Sequence, residues 1–353
     1  MKKIFSLLII LVLITCCFSA CGDSGNTNVI NVYNWGQYIG IGEEDTINVT
    51  KEFTKRTGIK VNYSTYDSNE TLYTKLKTGG SSIDVIIPSD YMIERLISEN
   101  MLAKLNYDNI PNYKFVDETF KNTTYDPKNE YSVPYTFGTV GIIYNKKYVT
   151  ETVDSWDILW NEKYKDKILM FDNPRDSFAI TQSLLGFDVN NSSNEDLDKC
   201  CEKLTAQRPL VQQYVMDQIF GAMVDESAWI APYYAGDFLT MAQDNENLAF
   251  AHPKEGFNYF IDAACIPSSC QNKEGAEAFI NFITDPEISG KNMSAIGYAT
   301  PISEARKYID PEFSESEIAY PSSDKLKNAY IFSNLKDETL QYMDNLWLKA
   351  KSN

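Results

Sequence analysis

The stretch that follows residue 28 alternates between strand and helix patterns, and this order constrains the fold more than any other feature of the chain. Residues 29–33 and 59–63 are β-type runs, and residues 43–57 between them carry apolar side chains at helical spacing. Residues 83–87 form a continuous apolar run, which is typical of a strand buried in a parallel sheet. Because crossovers between parallel strands are right-handed, this βαβαβα order predicts an α/β domain with a parallel sheet.

Aromatic and hydroxyl side chains follow two of these strands. Trp35 and Tyr38 come after the first strand, and Ser89 and Tyr91 come after the third. Ligands of open parallel sheets bind beyond the carboxyl ends of the strands, so we expect these four side chains to meet at one edge and line a site. The alternative is that Trp35 is an ordinary core residue.

A second series of strand and helix patterns begins after residue 130 and predicts a second α/β domain. Asp176 follows one of its strands, and two interpretations stay open: it caps the next helix, or it lines the same strand-end site. The expected strands lie at residues 131–135, 140–144, 167–171, 228–233 and 248–251, and the expected helices at residues 155–160, 176–185, 200–204 and 211–224.

No stretch rich in Pro, Gly or Ser separates the two halves, and a length of 353 residues suits two domains. This predicts domains that are joined by strand crossovers and that close about a hinge. We expect one lobe to comprise residues 29–136 and 262–301, and the other to comprise residues 137–261 and 302–353.

Acids lie close to aromatic residues at two places in the second half. Tyr234 precedes Asp237 by three residues, and Phe260 precedes Asp262 by two. A carboxylate neutralises and hydrogen-bonds an ammonium group, while ring faces cover methylene groups and contribute about 0.5–2 kcal/mol per cation–π contact. These pairs indicate a site for an organic cation. The alternative is that the rings belong to the core.

The chain is acidic, with 32 Lys and Arg against 49 Asp and Glu and a formal net charge of −17. This balance argues against nucleic acid and anionic lipid as partners and favours a cationic ligand, which the negative field would attract. Acidity that serves only solubility is the commoner explanation of a low pI, so the charge supports the cation site without establishing it.

The N-terminus carries the pattern of an export signal. Two lysines precede an apolar run at residues 4–14, and a pair of small residues precedes Cys21. This predicts a secretory signal peptide over residues 1–20, and the small pair resembles the site at which bacterial lipoproteins are cleaved and lipidated. We therefore expect a lipidated Cys21, a tether over residues 21–28, and a protein anchored outside the cytoplasmic membrane.

The sequence lacks recognisable catalytic and metal-binding patterns. His252 is the single histidine, no phosphate-binding glycine motif occurs, and the spacing of Cys200, Cys201, Cys265 and Cys270 does not suit a metal. We therefore expect no catalytic residue, no metal and no cofactor. Pairs of acids could serve a glycosidase, so a surface-anchored hydrolase stays as a less favoured alternative.

Short motifs are spread along nearly the whole chain after the signal. The most specific block is T-G-I-K-V at residues 57–61, followed by S-T-Y-D-S-N-E-T at residues 64–71. The other motifs lie at residues 32–38, 83–85, 88–91, 131–135, 253–256 and 297–301. Each motif is weak alone, but in this order and at these separations they resemble the bacterial spermidine/putrescine substrate-binding proteins of ABC transporters.

This resemblance implies a two-domain periplasmic-binding-protein-like fold of type II, a Venus flytrap, with a polyamine held in the cleft between its domains. It also implies delivery of the polyamine to an ABC permease, and we expect a monomer. The positions that match the family's ligand contacts are Trp35, Tyr38, Ser89, Tyr91, Asp176, Tyr234, Asp237, Phe260, Asp262 and Tyr298.

The sequence departs from the family pattern at positions that bear on ligand choice. Asn173 stands where spermidine-binding members tend to have an acid, and Phe260 stands where they often have Trp. Tyr234 and Asp237 belong to a Y-A-G-D motif that is similar to the W-A-G-D of putrescine-preferring members. The preference between putrescine and spermidine therefore stays open, and another organic cation or a sugar is the alternative ligand.

Overall fold

The computed structural model describes residues 28–43, 46–79 and 82–352. The predicted signal peptide, Cys21 and the tether up to residue 27 lie outside the described residues. Within these ranges, no helix is both long enough and apolar enough to cross a membrane.

Ten strands of the described ranges form one mixed sheet. They are β1 Val29–Trp35, β2 Lys60–Tyr66, β3 Val85–Ile86, β4 Ser132–Asn145, β5 Ile168–Phe171, β6 Val211–Val215, β7 Ile230–Tyr234, β8 Leu248–Ala251, β9 Phe257–Cys265 and β10 Ala329–Tyr330. The main path runs β2-β1-β3-β9-β4-β7-β5-β6, with β10 beside β9 and β8 beside β4.

The first three strands confirm the predicted parallel arrangement. β1 pairs with β2 in parallel along its whole length, from Val29 opposite Lys60 to Trp35 opposite Tyr66, and β3 pairs with β1 in parallel on its other side. In the second half, β5 pairs in parallel with both β6 and β7. The carboxyl ends of these strands therefore hold the loops that the sequence analysis assigned to a site.

Two long strands connect the two parallel groups. The sequence analysis expected separate strands at residues 131–135 and 140–144, but β4 is one strand whose first part pairs with β9 and whose second part pairs with β7. β9 also meets β3, through Ile86 opposite Cys265. The chain thus passes between the groups within continuous strands, which agrees with the predicted two-domain α/β fold.

The α-helices lie between these strands and after β9. They are α1 Val49–Thr57, α2 Asn69–Thr78, α3 Asp90–Ser98, α4 Pro174–Leu185, α5 Asn194–Gln207, α6 Ile219–Val224, α7 Ala235–Asp244, α8 Lys273–Ile283, α9 Pro286–Ile296, α10 Pro311–Ser314 and α11 Asp337–Ser352.

Capping residues set where the first helices begin and end. Asn48 caps α1 by accepting a hydrogen bond from a backbone N–H three residues later, and Gly58 ends the helix in the left-handed region at φ 77°. Ser68 caps α2 by accepting a hydrogen bond from the backbone N–H of Thr71. Asp67 therefore lies before the helix.

The predicted helix over residues 211–224 is wrong. Residues Val211–Val215 form strand β6, and the helix is limited to Ile219–Val224. The parallel pairing of β6 with β5 satisfies the backbone of a segment that begins and ends with a β-branched valine, so tertiary pairing overrides the helical spacing of its apolar residues.

The exact division of the chain into lobes stays a prediction. The short 3₁₀ helix Ser303–Tyr308, which was assigned to the second lobe, lies against α9 of the first lobe, where Gly290 meets the carbonyl of Ala305 so closely that no Cβ would fit. The four described cysteines are free thiols. Among the described residues, no group of His, Cys, Asp or Glu is arranged to hold a metal ion.

Candidate functional site

All ten residues predicted to contact a ligand line one cleft between the first and second halves of the chain. The cleft, including its opening to solvent, has a volume of about 690 Å³. Their role in binding stays a prediction, but their convergence from distant segments is a feature of the fold. The ten are Trp35, Tyr38, Ser89, Tyr91, Asp176, Tyr234, Asp237, Phe260, Asp262 and Tyr298.

Trp35 and Tyr38 form part of the first wall because β1 ends beside them. The indole Nε1 of Trp35 donates to the carbonyl of Ile87 at 2.8 Å, and its ring contacts Tyr66 with centroids 4.7 Å apart. Trp35 is only partly buried, so the core alternative does not describe it fully. These contacts fix the ring at the edge of the cleft.

Asp262 lines the cleft from β9. Its Oδ2 accepts a hydrogen bond of 2.5 Å from the Tyr38 hydroxyl, and its backbone forms a bridge to Ser89. Its other oxygen, Oδ1, is buried without a hydrogen-bond partner among the described residues. Burial raises the pKa of Asp262 to about 6, although the bond from Tyr38 opposes the rise.

Glu70 and Asp176 form a second acidic group in the lining. Tyr91 donates to Glu70 Oε1 at 2.9 Å, and Tyr234 donates to Asp176 Oδ2 at 3.4 Å. Burial raises the pKa of both carboxyl groups, and in Asp176 the hydrogen bond from Asn173 opposes this effect. The charge of Asp176 also raises the pKa of Glu70, so acids from both halves of the chain lie close together here.

The two interpretations of Asp176 are resolved by the start of α4. Asn173 is the capping residue, and its side chain accepts from the backbone N–H of Asp176 at 2.8 Å. The amide of Asn173 also donates to Asp176 Oδ2 at 2.8 Å. Asp176 is thus free of the capping role, and its carboxylate lines the cleft.

Aromatic rings line the cleft together with these acids. Phe260 lies between Tyr234 and Tyr298, with ring centroids 5.6 and 6.5 Å away. Tyr298 packs edge-to-face on Tyr38 at 4.7 Å. These rings hold one another in fixed orientations and present apolar surface to whatever occupies the space.

The structure adds four acids that sequence reasoning did not assign to the site: Asp67, Glu70, Asp90 and Asp217. The first three lie in the motifs at residues 64–71 and 88–91 but were not assigned to the site, and Asp217 lies inside the wrongly predicted helix. With Asp176, Asp237 and Asp262 they bring seven carboxyl groups to the described lining, which contains no Lys, Arg or His. The missed residues that are not acids are Gly36, Ser68, Asn69, Met216, Tyr233, Asn258 and Phe332, and Asn173 was noted only as a family difference.

Burial in the cleft raises the pKa values of several of the acids that line it. Burial raises the pKa of Asp90 to about 8 and that of Asp237 well above its usual range, and the Asp217 carboxylate adds to the effect on Asp237. Arg175 lies outside the described lining and donates to the carbonyl of Val189; its charge opposes the rise in the pKa of Asp90 and of Asp176 without cancelling it. A cationic ligand would therefore stabilise the ionised forms of these acids.

Comparisons with known proteins match this description. Residues 48–321 match the family described as bacterial extracellular solute-binding protein. The spermidine/putrescine-binding periplasmic protein of Escherichia coli is 32% identical over 88% of this chain and 88% of its own length, and the putrescine-binding periplasmic protein SpuD of Pseudomonas aeruginosa is 30% identical over 94% of each.

A solved structure supports the same assignment. The spermidine/putrescine ABC transporter substrate-binding protein PotD of Streptococcus pneumoniae superposes with a TM-score of 0.76 at 34% identity, covering 92% of this chain and 98% of its own. The chain therefore belongs to the bacterial extracellular solute-binding proteins, among the polyamine substrate-binding proteins of ABC transporters, which are transport proteins and not enzymes.

Proposed function

We propose that this protein captures a polyamine, putrescine or spermidine, in the cleft between its domains and delivers it to an ABC permease. The observation that carries the proposal is the set of seven carboxyl groups and surrounding aromatic rings in one narrow space, with no cationic side chain in the described lining. A polyamine supplies what this lining lacks, because it carries separated ammonium groups joined by methylene chains.

The acidic groups at Asp262 and at Glu70 with Asp176 explain why a ligand with more than one ammonium group suits the cleft. One ammonium pairs with Asp262, whose buried Oδ1 has no partner among the described residues. Another pairs with the carboxylates of Glu70 and Asp176, and the methylene chain between them lies against Phe260. Each charge pair contributes about 4 kcal/mol at ~4 Å and an effective dielectric constant near 20, before the cost of desolvation is subtracted.

Close contacts across the cleft support a mechanism in which the domains close on the ligand. Gly36 lies directly against the carboxylate of Asp217, and Gly236 lies directly against the ring of Tyr298, so that a Cβ at either glycine would collide with its neighbour. Gly36 and Asp217 come from different halves of the chain, and Gly236 and Tyr298 belong to different predicted lobes. Closure excludes water, which strengthens each ammonium–carboxylate pair.

We also propose an extracytoplasmic location with a lipid anchor at Cys21. The support is the signal pattern of residues 1–20, the small residues before Cys21, and the periplasmic location of the E. coli and P. aeruginosa relatives. Metabolic labelling of the expressed protein with a fatty-acid analogue tests this anchor. Loss of the label in Cys21→Ala is expected, whereas an unchanged label would contradict lipidation at this residue.

Titration calorimetry with putrescine and spermidine tests the binding function. We expect dissociation constants in the micromolar range or tighter, and we expect Asp262→Asn to weaken binding by at least tenfold, because it removes one of the charges that pair with an ammonium group. Asp324→Asn is the matched control, since Asp324 has a side-chain exposure of 85% and lies outside the cleft lining.

The same series can contradict the proposal. Equal affinity of Asp262→Asn and the unchanged protein would remove Asp262 from the site. A thermal-shift screen against amines, amino acids and sugars separates the ligand classes, and stabilisation by a sugar with no response to either polyamine would reject polyamine capture. Turnover of any screened ligand would favour a hydrolase instead.

A further inference from the structure

Asn258 lines the cleft although no motif in the sequence singled it out. Its side chain is 6% exposed, and its Oδ1 is buried without a hydrogen-bond partner among the described residues. A buried amide oxygen without a donor is unfavourable, so a native site that keeps one is suited to a ligand that brings an N–H or O–H group.

The position of Asn258 on β9 gives its distance from Asp262. Side chains alternate between the two faces of a strand, so Asn258, Phe260 and Asp262 share one face, and all three line the cleft. Each two-residue step along a strand covers about 6.6 Å, which places the Asn258 backbone about 13 Å from that of Asp262. The aromatic ring of Phe260 lies between them.

A row of aromatic rings connects Asn258 with Tyr91. Asn258 pairs with Tyr330 of β10, whose ring lies 5.8 Å from that of Phe332. Phe332 in turn lies 5.8 Å from the ring of Tyr91. The unpaired amide oxygen therefore belongs to the same cleft lining as Phe332 and Tyr91.

We propose that Asn258 is a specificity-determining residue that accepts a hydrogen bond from the far ammonium group of a triamine anchored at Asp262. This inference rests on the proposed polyamine function. Bonds of about 1.5 Å in an extended chain give roughly 6 Å between the nitrogens of putrescine and roughly 11 Å between the terminal nitrogens of spermidine. Spermidine therefore reaches from Asp262 to Asn258, and putrescine held at Asp262 does not.

Titration calorimetry of position 258 with both amines tests this assignment. Asn258→Leu removes the acceptor at similar volume, and we expect it to weaken spermidine binding at least tenfold and putrescine binding less than threefold. Asn258→Asp keeps an acceptor oxygen and is expected to retain or strengthen spermidine binding. Tyr259→Phe, on the opposite face of the same strand, also removes one oxygen and is expected to leave both affinities within about twofold.

The outcomes separate this inference from the function on which it rests. If Asn258→Leu binds spermidine as tightly as the unchanged protein, or loses affinity equally for both amines, Asn258 does not determine specificity. Polyamine capture is still supported in that case, provided that the unchanged protein binds the amines. A protein that binds neither amine overturns both. Circular dichroism melting of each variant checks that losses of affinity come from folded protein.

Discussion

At the scale of single residues, Asp262 is a buried carboxylate with an incomplete set of hydrogen bonds, which a cationic ligand would complete. Its side chain is 3% exposed, Tyr38 satisfies only one of its oxygens, and burial raises its pKa to about 6. An ammonium group would satisfy Oδ1 and lower this pKa again. Under the proposed function, ligand binding and proton release are therefore coupled at this residue.

This coupling predicts a pH dependence of binding. As the pH falls through 6, the free protein holds a proton on Asp262 that an ammonium ligand must displace, so affinity for putrescine or spermidine is expected to fall about tenfold between pH 7 and pH 5. Calorimetry at each pH, in buffers of different ionisation enthalpy, measures both the affinity and the protons released on binding.

The variant Asp262→Asn provides the control for this pH dependence. Because it has no proton to lose at this position, it should release fewer protons than the unchanged protein near pH 6. Affinity that stays constant from pH 5 to pH 7 in the unchanged protein would contradict the assignment of a titrating Asp262 to the ligand.

At the scale of elements, the start of α7 and the turn after α9 approach each other because both carry glycine. Gly297 ends α9 at φ 73°, in the left-handed region that favours glycine, and a Cβ there would lie 2.7 Å from the carbonyl oxygen of Gly236. Gly236 in turn packs against the ring of Tyr298. This contact brings a helix of the second half against a turn that carries a cleft residue.

Gly236→Ala is therefore expected to hinder closure. The added methyl group would collide with the Tyr298 ring, so polyamine affinity should fall at least tenfold. The melting temperature without ligand should change little, because alanine is the better helix former. Calorimetry measures the affinity, and small-angle X-ray scattering with and without ligand measures whether the domains still close.

Gly221→Ala is the matched control for this change. Gly221 also lies in a helix, and no atom lies within 4 Å of a Cβ built there. It should therefore bind polyamine like the unchanged protein. Normal affinity and normal compaction in Gly236→Ala would show that the contact with Tyr298 does not limit closure.

At the scale of the whole molecule, the buried acids of the cleft link stability to pH. Asp90 and Asp262 have pKa values of about 8 and about 6 in the folded protein, which are higher than the usual value near 3.9 for an unfolded chain. Between pH 4 and pH 8 the folded state binds more protons than the unfolded state, so stability decreases as the pH rises.

The free energy of unfolding without ligand is therefore expected to be higher at pH 5 than at pH 8. The shift at Asp262 alone corresponds to a loss of about 1.4 kcal/mol over this range, because pH 5 lies about one pH unit below its folded pKa. Denaturant unfolding followed by fluorescence at both pH values measures the difference. A saturating polyamine should reduce it, because the ligand stabilises the ionised acids and binds only the folded state.

Two variants test the origin of this dependence. Asp90→Asn should flatten the change in stability with pH, since it removes the acid whose pKa is raised to about 8, and Asp324→Asn should leave it unchanged. Stability that rises steadily from pH 5 to pH 8 in the unchanged protein would contradict burial as the dominant effect on these groups.

The sequence alone determined the features that depend on local patterns. Alternating apolar residues and capping residues identify β1, α1, β2 and the parallel order, because burial of one face repeats every two residues in a strand and about every 3.6 in a helix. Since the carboxyl ends of parallel strands share an edge, the same patterns predict that Trp35, Tyr38, Ser89 and Tyr91 lie together.

Only the tertiary structure decided which further residues line the cleft with these four side chains, and how burial changes the pKa values of the acids among them. β6 forms because β5 offers a partner, and this pairing brings Asp217 to the cleft from a segment whose own spacing suggested a helix. Asn258 and the titration of Asp90 are likewise invisible in sequence. The free energy of a buried oxygen depends on every distant group packed around it, and a one-dimensional pattern does not contain those distances.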